Sequence, residues 1–252
     1  MESVSASALQ LYLACPLKYR FQYVDKVEKP WRAAALAFGT SVHAAVEWFQ
    51  KELMAGRSPH PEAVLAQFDA DWYAQNVEPL VFSDKDSRDS LHVKGHELLR
   101  LYLEQANGNQ SVAVEQPFEV PVVDPETGED LGLTLRGFLD LVEAGDVVVD
   151  LKTAARSIGV GDLERHLQLS VYALGYLLLH GRIPTLRLDM LLKTKVAKLE
   201  RFTTSRSLSD LSWTARLLER AARAIEAGHF YPNPSWRCGE CEYFAHCQLW
   251  RG

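Results

Sequence analysis

An α/β fold, with a mixed central sheet flanked by helices, is what this sequence predicts, on three observations. The first ~110 residues carry helical periodicity. From Val112 the pattern changes to strand-like alternation, and beyond Leu163 a helical stretch, two strands and a final helix follow. Third, 252 residues with 47% hydrophobic side chains suffice for one large core, so a single domain spanning 1–252 is expected.

Taken in order, Ser5 to Tyr23 reads as a short helix capped by Ser5 or Ser7, and Phe38 to Ala55 as a longer one stopped by Gly56. Pro61 opens a third helix, since proline suits the first helical position. The polar stretch Phe82 to Asp89 reads as a mobile loop, and Leu91 to Gln105 as a helix ending at Asn107-Gly108. Residues 56–110 thus form a helical insert. Val112 to Val123 is strand-like, Asp124 to Gly128 is a turn, and Leu131 to Leu151 holds two strands. Leu163 to His180 returns to a helical period with Asp162 as cap. Leu186 to Lys193 and Leu199 to Thr203 are closing strands, and Ser209 to Ala227 is a helix halted by Gly228.

The formal charge of -6 excludes a general nucleic-acid coat and shifts attention to local basic patches. No apolar run has membrane-spanning length, and Met1-Glu2-Ser3 lacks the basic and apolar regions of a signal peptide. A cytoplasmic protein with no membrane partner is expected.

The chemistry concentrates between Gly137 and Thr153. Val147, Val148 and Val149 form a β-branched run that reads as a buried strand, along which Asp150 and Lys152 share one face and Leu151 points away. Asp140 closes the preceding apolar segment, Leu133 to Leu139. Glu143-Ala144-Gly145-Asp146 joins the two as an antiparallel hairpin that sets Asp140 beside Asp150. Two such acids repel unless a cation lies between them. With a lysine they can hold a divalent metal and cut a phosphodiester.

Cys238-x2-Cys241-x5-Cys247 crowds three sulfurs into ten residues, too close for simple disulfides and suited to a metal or cluster, with Cys15 as fourth ligand. Spacing leaves a four-cysteine zinc site and a 4Fe-4S cluster both open. Either joins residues 1–30 to 230–252. Basic residues interleave with aromatics after Cys15 (Lys18, Tyr19, Arg20, Phe21, Tyr23), and Lys193, Lys195, Lys198 and Arg201 follow the helix after Leu163, a mixture that tracks a phosphate backbone or a solvated face.

Five features together resemble the PD-(D/E)XK nuclease superfamily, and within it the RecB-like exonucleases, the related CRISPR-associated adaptation nucleases and the AddB nuclease domain. They are Gly39-Thr40-Ser41-Val42-His43 with Glu47, Gly137 to Asp140, Asp150-Leu151-Lys152, Gln168-x3-Tyr172, and the four cysteines. The resemblance runs from residue 5 to 247 and is weakest around 56–110. It implies a restriction-endonuclease-like core, catalytic Asp140, Asp150 and Lys152, and one or two Mg²⁺ or Mn²⁺ ions held by the aspartates, His43 and the backbone carbonyl of Leu151. Gln168 and Tyr172 would contact DNA or the lysine region. The cysteines would carry a 4Fe-4S cluster in preference to zinc. Glu47 and Glu115 rank below the aspartates.

The implied activity is a metal-dependent DNA exonuclease acting on single-stranded DNA or free ends. An adaptation nuclease trimming ends with an integrase, and a non-catalytic DNA-binding module that retains the fold, are the alternatives. No G-x4-G-K-[ST] pattern occurs, so any helicase would be a separate partner.

Overall fold

The computed structural model describes residues 3–75, 79–106 and 111–252; Met1, Glu2 and the expected helix stop at Asn107-Gly108 lie outside them. Strand β1 (Ser3–Val4) leads into α1 (Ala6–Ala14), whose cap Ser5 accepts the Ala8 N–H at 3.2 Å. The helix expected to continue to Tyr23 breaks at Cys15 (φ -161°, ψ 103°), because the proline at position 16 disfavours helical backbone in the residue before it. Helix α2 (Pro16–Tyr19) restarts there and widens into a π turn over Arg20–Val24.

Next come β2 (Arg32–Ala33) and α3 (Ala34–Met54), which begins four residues before the expected Phe38, then α4 (Pro61–Ala74) with proline at its start. β3 (Leu80–Val81) pairs in parallel with β2, and α5 (Arg88–Gln105) is closed by reciprocal hydrogen bonds between Ser87 and Ser90. Strands β4 (Ser111–Val123), β5 (Asp130–Glu143) and β6 (Val147–Ala154) follow. β5 and β6 form the expected antiparallel hairpin, with Leu141 opposite Val149, and Gly145 (φ 84°) at the turn.

The helix expected from Leu163 to His180 is two: α6 (Val160–Glu164), capped by Gly159 with Asp162 inside its first turn, and α7 (Leu167–His180). The break has a distant cause. The buried Arg206 guanidinium donates to the Leu163 carbonyl at 3.0 Å and to Ser170 Oγ at 2.7 Å, while the His166 ring accepts the Leu169 N–H and caps the new helix. β7 (Thr185–Leu192), β8 (Lys198–Thr204), α8 (Leu208–Glu226), a 3-10 helix over Trp236–Glu240 and α9 (Phe244–Gln248) complete the described elements.

The main sheet runs β1-β5-β6-β7-β8, with β4 also on β5; β6 and β7 are parallel and β7 and β8 antiparallel. Val120 and Pro121 of β4 already pair with Leu135 and Thr134, the β5 residues that pair with β1, so β1 must lie on the opposite edge. By the same reasoning β6, paired with residues 141–143, shares that edge. Residues 136–140 of β5 therefore face a gap between β1 and β6. Two hydrophobic layers cover the sheet: α1, α7 and α8 pack with Val148, Leu186 and Leu188, whereas α3, α4 and α5 pack with Leu151 and Leu191. That is the mixed, helix-flanked sheet of the predicted α/β class.

Candidate active site

Asp140 lies at the gap in β5, where ladder pairing has stopped. In place of a strand partner, the Leu151 N–H donates to Asp140 Oδ2 at 3.0 Å. N–H and C=O of one strand residue leave on the same edge, so the Leu151 carbonyl faces the gap too, and it acts to raise the pKa of the His43 ring. His43 comes from α3, on the other layer, and its Nδ1 is 3.9 Å from Asp140 Oδ2. Burial lowers the His43 pKa and outweighs the nearby Asp140 charge, which keeps the imidazole neutral and able to donate a lone pair.

Asp150 is fully buried, with both carboxylate oxygens unmatched by any hydrogen bond. Lys152 Nζ stands 3.0 Å from Oδ1 but off the hydrogen-bonding direction. Burial pushes the Asp150 pKa up to about 7, the Lys152 charge pulls against it, and Asp140 adds repulsion. Among the described residues, His43, Asp140 and Asp150 do not bring one atom each within 4.8 Å of the other two. The closed pair is His43 with Asp140.

From α7, Gln168 Nε2 donates to Tyr172 Oη at 2.8 Å, and that hydroxyl donates to Asp140 Oδ1 at 3.4 Å. The Tyr172 ring is buried and its pKa raised, chiefly by burial and then by the two aspartates. Gln168, Tyr172 and Asp140 line a cavity of about 700 Å³ together with Glu115, Arg136 and Phe138.

A model of the PD-(D/E)XK nuclease superfamily matches residues 3–248. The chain belongs to that superfamily. Gene 69 protein of Mycobacterium phage L5 is 24% identical to this nuclease over 296 aligned residues, covering 98% of the chain and 96% of the phage protein. The crystal structure of a protein named "Putative exonuclease" from Eubacterium rectale superposes with a TM-score of 0.64 at 17% identity, covering 100% of this chain and 90% of the other. At that identity the second likeness concerns the fold.

Glu115, ranked low on sequence grounds, sits near Asp140 in the same cavity of this nuclease. Burial, then Asp140 and Glu47, push its pKa up to about 7, and its backbone is left-handed (φ 47°) in mid-strand, a conformation non-glycine residues adopt at a cost. Glu47 itself is ion-paired with Lys51. Arg136 and the exposed Phe138 escaped notice, although a cation and an aromatic alternating just before Asp140 were visible.

The remaining predicted contacts lie elsewhere. Lys193 Nζ stacks 5.1 Å over the Phe38 ring, and Lys193 and Lys195 share a pocket of about 380 Å³ with Lys85 and Lys94. Lys18, which lines the cysteine cavity, pairs with Glu242 at 2.6 Å, and Arg20 pairs with Asp25 at 3.0 Å. Cys15, Cys238, Cys241 and Cys247 are free thiols around one cavity of about 240 Å³, walled by Leu17, Phe21 and Tyr243. Burial raises the Cys241 and Cys247 pKa values, and neighbouring thiols add to the effect at Cys247. Backbone and side chain bonds close the same region: Leu17 N–H to Tyr231 O at 3.0 Å, and Tyr243 Oη to Val27 O at 3.1 Å. Among the described residues no helix is long and apolar enough to cross a membrane.

Proposed function

We propose that this nuclease is a Mg²⁺- or Mn²⁺-dependent deoxyribonuclease that degrades single-stranded DNA or DNA from its ends. The observation that carries the reading is Asp150, a fully buried carboxylate with two oxygens lacking hydrogen bonds beside a second acid. With the single Lys152 ammonium at 3.0 Å set against two neighbouring acids, such a group calls for a further cation. Asp140, Asp150, His43 and the Leu151 carbonyl form a hard, mainly oxygen donor set that fits Mg²⁺ or Mn²⁺, the imidazole favouring Mn²⁺. When bound, the ion supplies Lewis-acid activation of water and of the scissile phosphate. Lys152 then has a free ammonium to orient the attacking water and to stabilise charge growing on the phosphate. Tyr172, itself held by Gln168, fixes the Oδ1 side of Asp140. Glu115 serves as a further acid at the same centre.

Substrate enters by the 700 Å³ cavity, where Arg136 meets a phosphate and Phe138 stacks on a base. Lys193 and Lys195 extend the backbone track, and Lys18 and Arg20 join it by exchanging their acid partners for phosphate. A helicase or an integrase is the kind of protein partner expected at these ends.

The four cysteines hold a 4Fe-4S cluster in this reading. A four-cysteine zinc site closes around one ion, whereas these sulfurs surround an apolar space of about 240 Å³. The cluster staples residues 1–30 to 230–252, and residues 56–110 are a helical insert on the α3 layer.

End-labelled single-stranded DNA with Mn²⁺ and anaerobically purified protein tests the reading, with Asp150→Ala as control. Degradation by the wild type and none by the variant is expected. Equal DNA binding with no cleavage by either protein would overturn it in favour of a binding module; cleavage confined to an integrase complex would favour the end-trimming alternative.

A further inference from the structure

We propose that Asp69, His92 and His96 form a second cation site, for a zinc-class divalent ion that clamps α4 to α5. Asp69 Oδ1 lies 2.7 Å from His92 Nε2 and 2.6 Å from His96 Nε2, so three ligand atoms converge from two helices. Among the described residues, this is the group of His, Cys, Asp and Glu whose ligand atoms all fall within 4.8 Å of one another. Two imidazoles and a carboxylate match zinc and its neighbours, not Mg²⁺.

The sequence builds the site in three steps. His92 and His96 are four apart on α5 and so project from one face, their rings 4.6 Å apart. Gly95, in the turn between them, lets the helices approach: a Cβ there would sit 2.2 Å from the Phe68 ring. A mid-helix glycine is unfavourable without such a reason. Phe68, next to Asp69, then lies against both imidazoles at 6.1 and 5.9 Å and orients them.

Asp69 is ready to act as a ligand. Burial works against its ionisation, but the His96 and His92 hydrogen bonds outweigh it and hold the carboxyl below its ordinary range. In the metal-free state, each Nε2 carries a proton and donates to the shared oxygen. A tetrahedral ion bonded at ~2.1 Å to nitrogen and oxygen needs them about 3.4 Å apart, so binding shifts each ring's proton by way of water from Nε2 to Nδ1 and moves the carboxylate outward by somewhat under ~1 Å. Its side chain is 36% exposed, which leaves room for that shift and for a water in the fourth position. The role we assign is mechanical: Phe68 packs edge-on against Phe38 of α3, the helix that carries His43.

The test is Zn²⁺ uptake by the full chain in excess Mg²⁺, read against a chromogenic chelator and by thermal melting, for wild type, His92→Gln/His96→Gln and Asp69→Asn. One more equivalent of Zn²⁺ should bind to wild type than to the double variant, and Zn²⁺ should raise the melting temperature of the wild type only. Asp69→Asn keeps an acceptor for both imidazoles, so it should fold normally yet bind Zn²⁺ more than about tenfold more weakly, the loss expected even from a supporting partner. Identical stoichiometry and affinity in wild type and Asp69→Asn would overturn the proposal, whatever the fate of the double variant. All three proteins share the nuclease centre and the cysteines, so neither affects the comparison.

Discussion

The main-chain N–H of Leu151 ends on Oδ2 of Asp140, 3.0 Å away, tying the first acid to the strand that bears the second. That bond fixes Asp140 while Asp150 keeps both oxygens free of hydrogen bonds. Asp150→Asn should therefore abolish Mn²⁺-dependent DNA degradation, by at least about a thousandfold, the scale on which a major electrostatic group acts in catalysis. Without metal the same variant should melt higher than wild type above neutral pH, because it removes a buried charge. A lower melting temperature for Asp150→Asn there would count against a strained acid.

The pH dependence follows in sign. Burial raises the Asp150 pKa from 3.8 to about 7, so the folded state holds a proton that the unfolded chain has released. The stabilising contribution is complete below the unfolded value and is lost as pH rises through about 7. The metal-free protein should lose a few kcal/mol between roughly pH 4 and pH 7 from this group, fully buried as it is. Added Mn²⁺ should stabilise increasingly over the same interval. Calorimetry at several pH values with and without Mn²⁺ checks this, and a metal effect independent of pH would refute it.

Glu115 offers a separation of strain from function. Glu115→Gly relieves the left-handed backbone at φ 47° and removes the charge beside Asp140. Its unfolding free energy should stay within about 1 kcal/mol of wild type, the glycine's greater freedom in the unfolded chain offsetting the relief. Activity should fall at least roughly tenfold, as in the isosteric Glu115→Gln. Full activity in both variants would remove Glu115 from the centre.

Replacing Cys247 by serine should bleach the visible absorption of anaerobically prepared protein and lower its melting temperature. Limited proteolysis should then cut first near residues 15–30 and 230–250, which the cysteine cavity and the Leu17–Tyr231 bond hold together. Unchanged colour, or stoichiometric zinc with no iron, would replace the cluster with the smaller ion.

Much of the architecture was legible because it depends on local pattern. The valine run, Gly145 and the charges at 140 and 150 predict the hairpin, and Pro61 marks a helix start, whereas α5 begins at Arg88, capped by Ser87, inside the stretch expected to be a loop up to Asp89. What escaped depends on distant partners. The break before α7 is stabilised by Arg206, which reaches His166 from 40 positions away. β1 is two residues long and carries no periodic signal, so the gap it leaves beside β6 could not be foreseen. The turn at Glu115 was not legible either, because alternation describes a strand's faces and says nothing about a residue whose φ turns positive.

Asp140 is approached by Tyr172 from one hydrophobic layer and by His43 from the other. A group held this way works as a gauge of alignment between the layers. Chemistry that depends on ångström placement then detunes when either layer slips on the sheet, well before the slip unfolds anything. Heating should accordingly silence the enzyme below its melting point, and packing changes as far off as Phe68 or Leu98 should widen that interval rather than simply lower the melt.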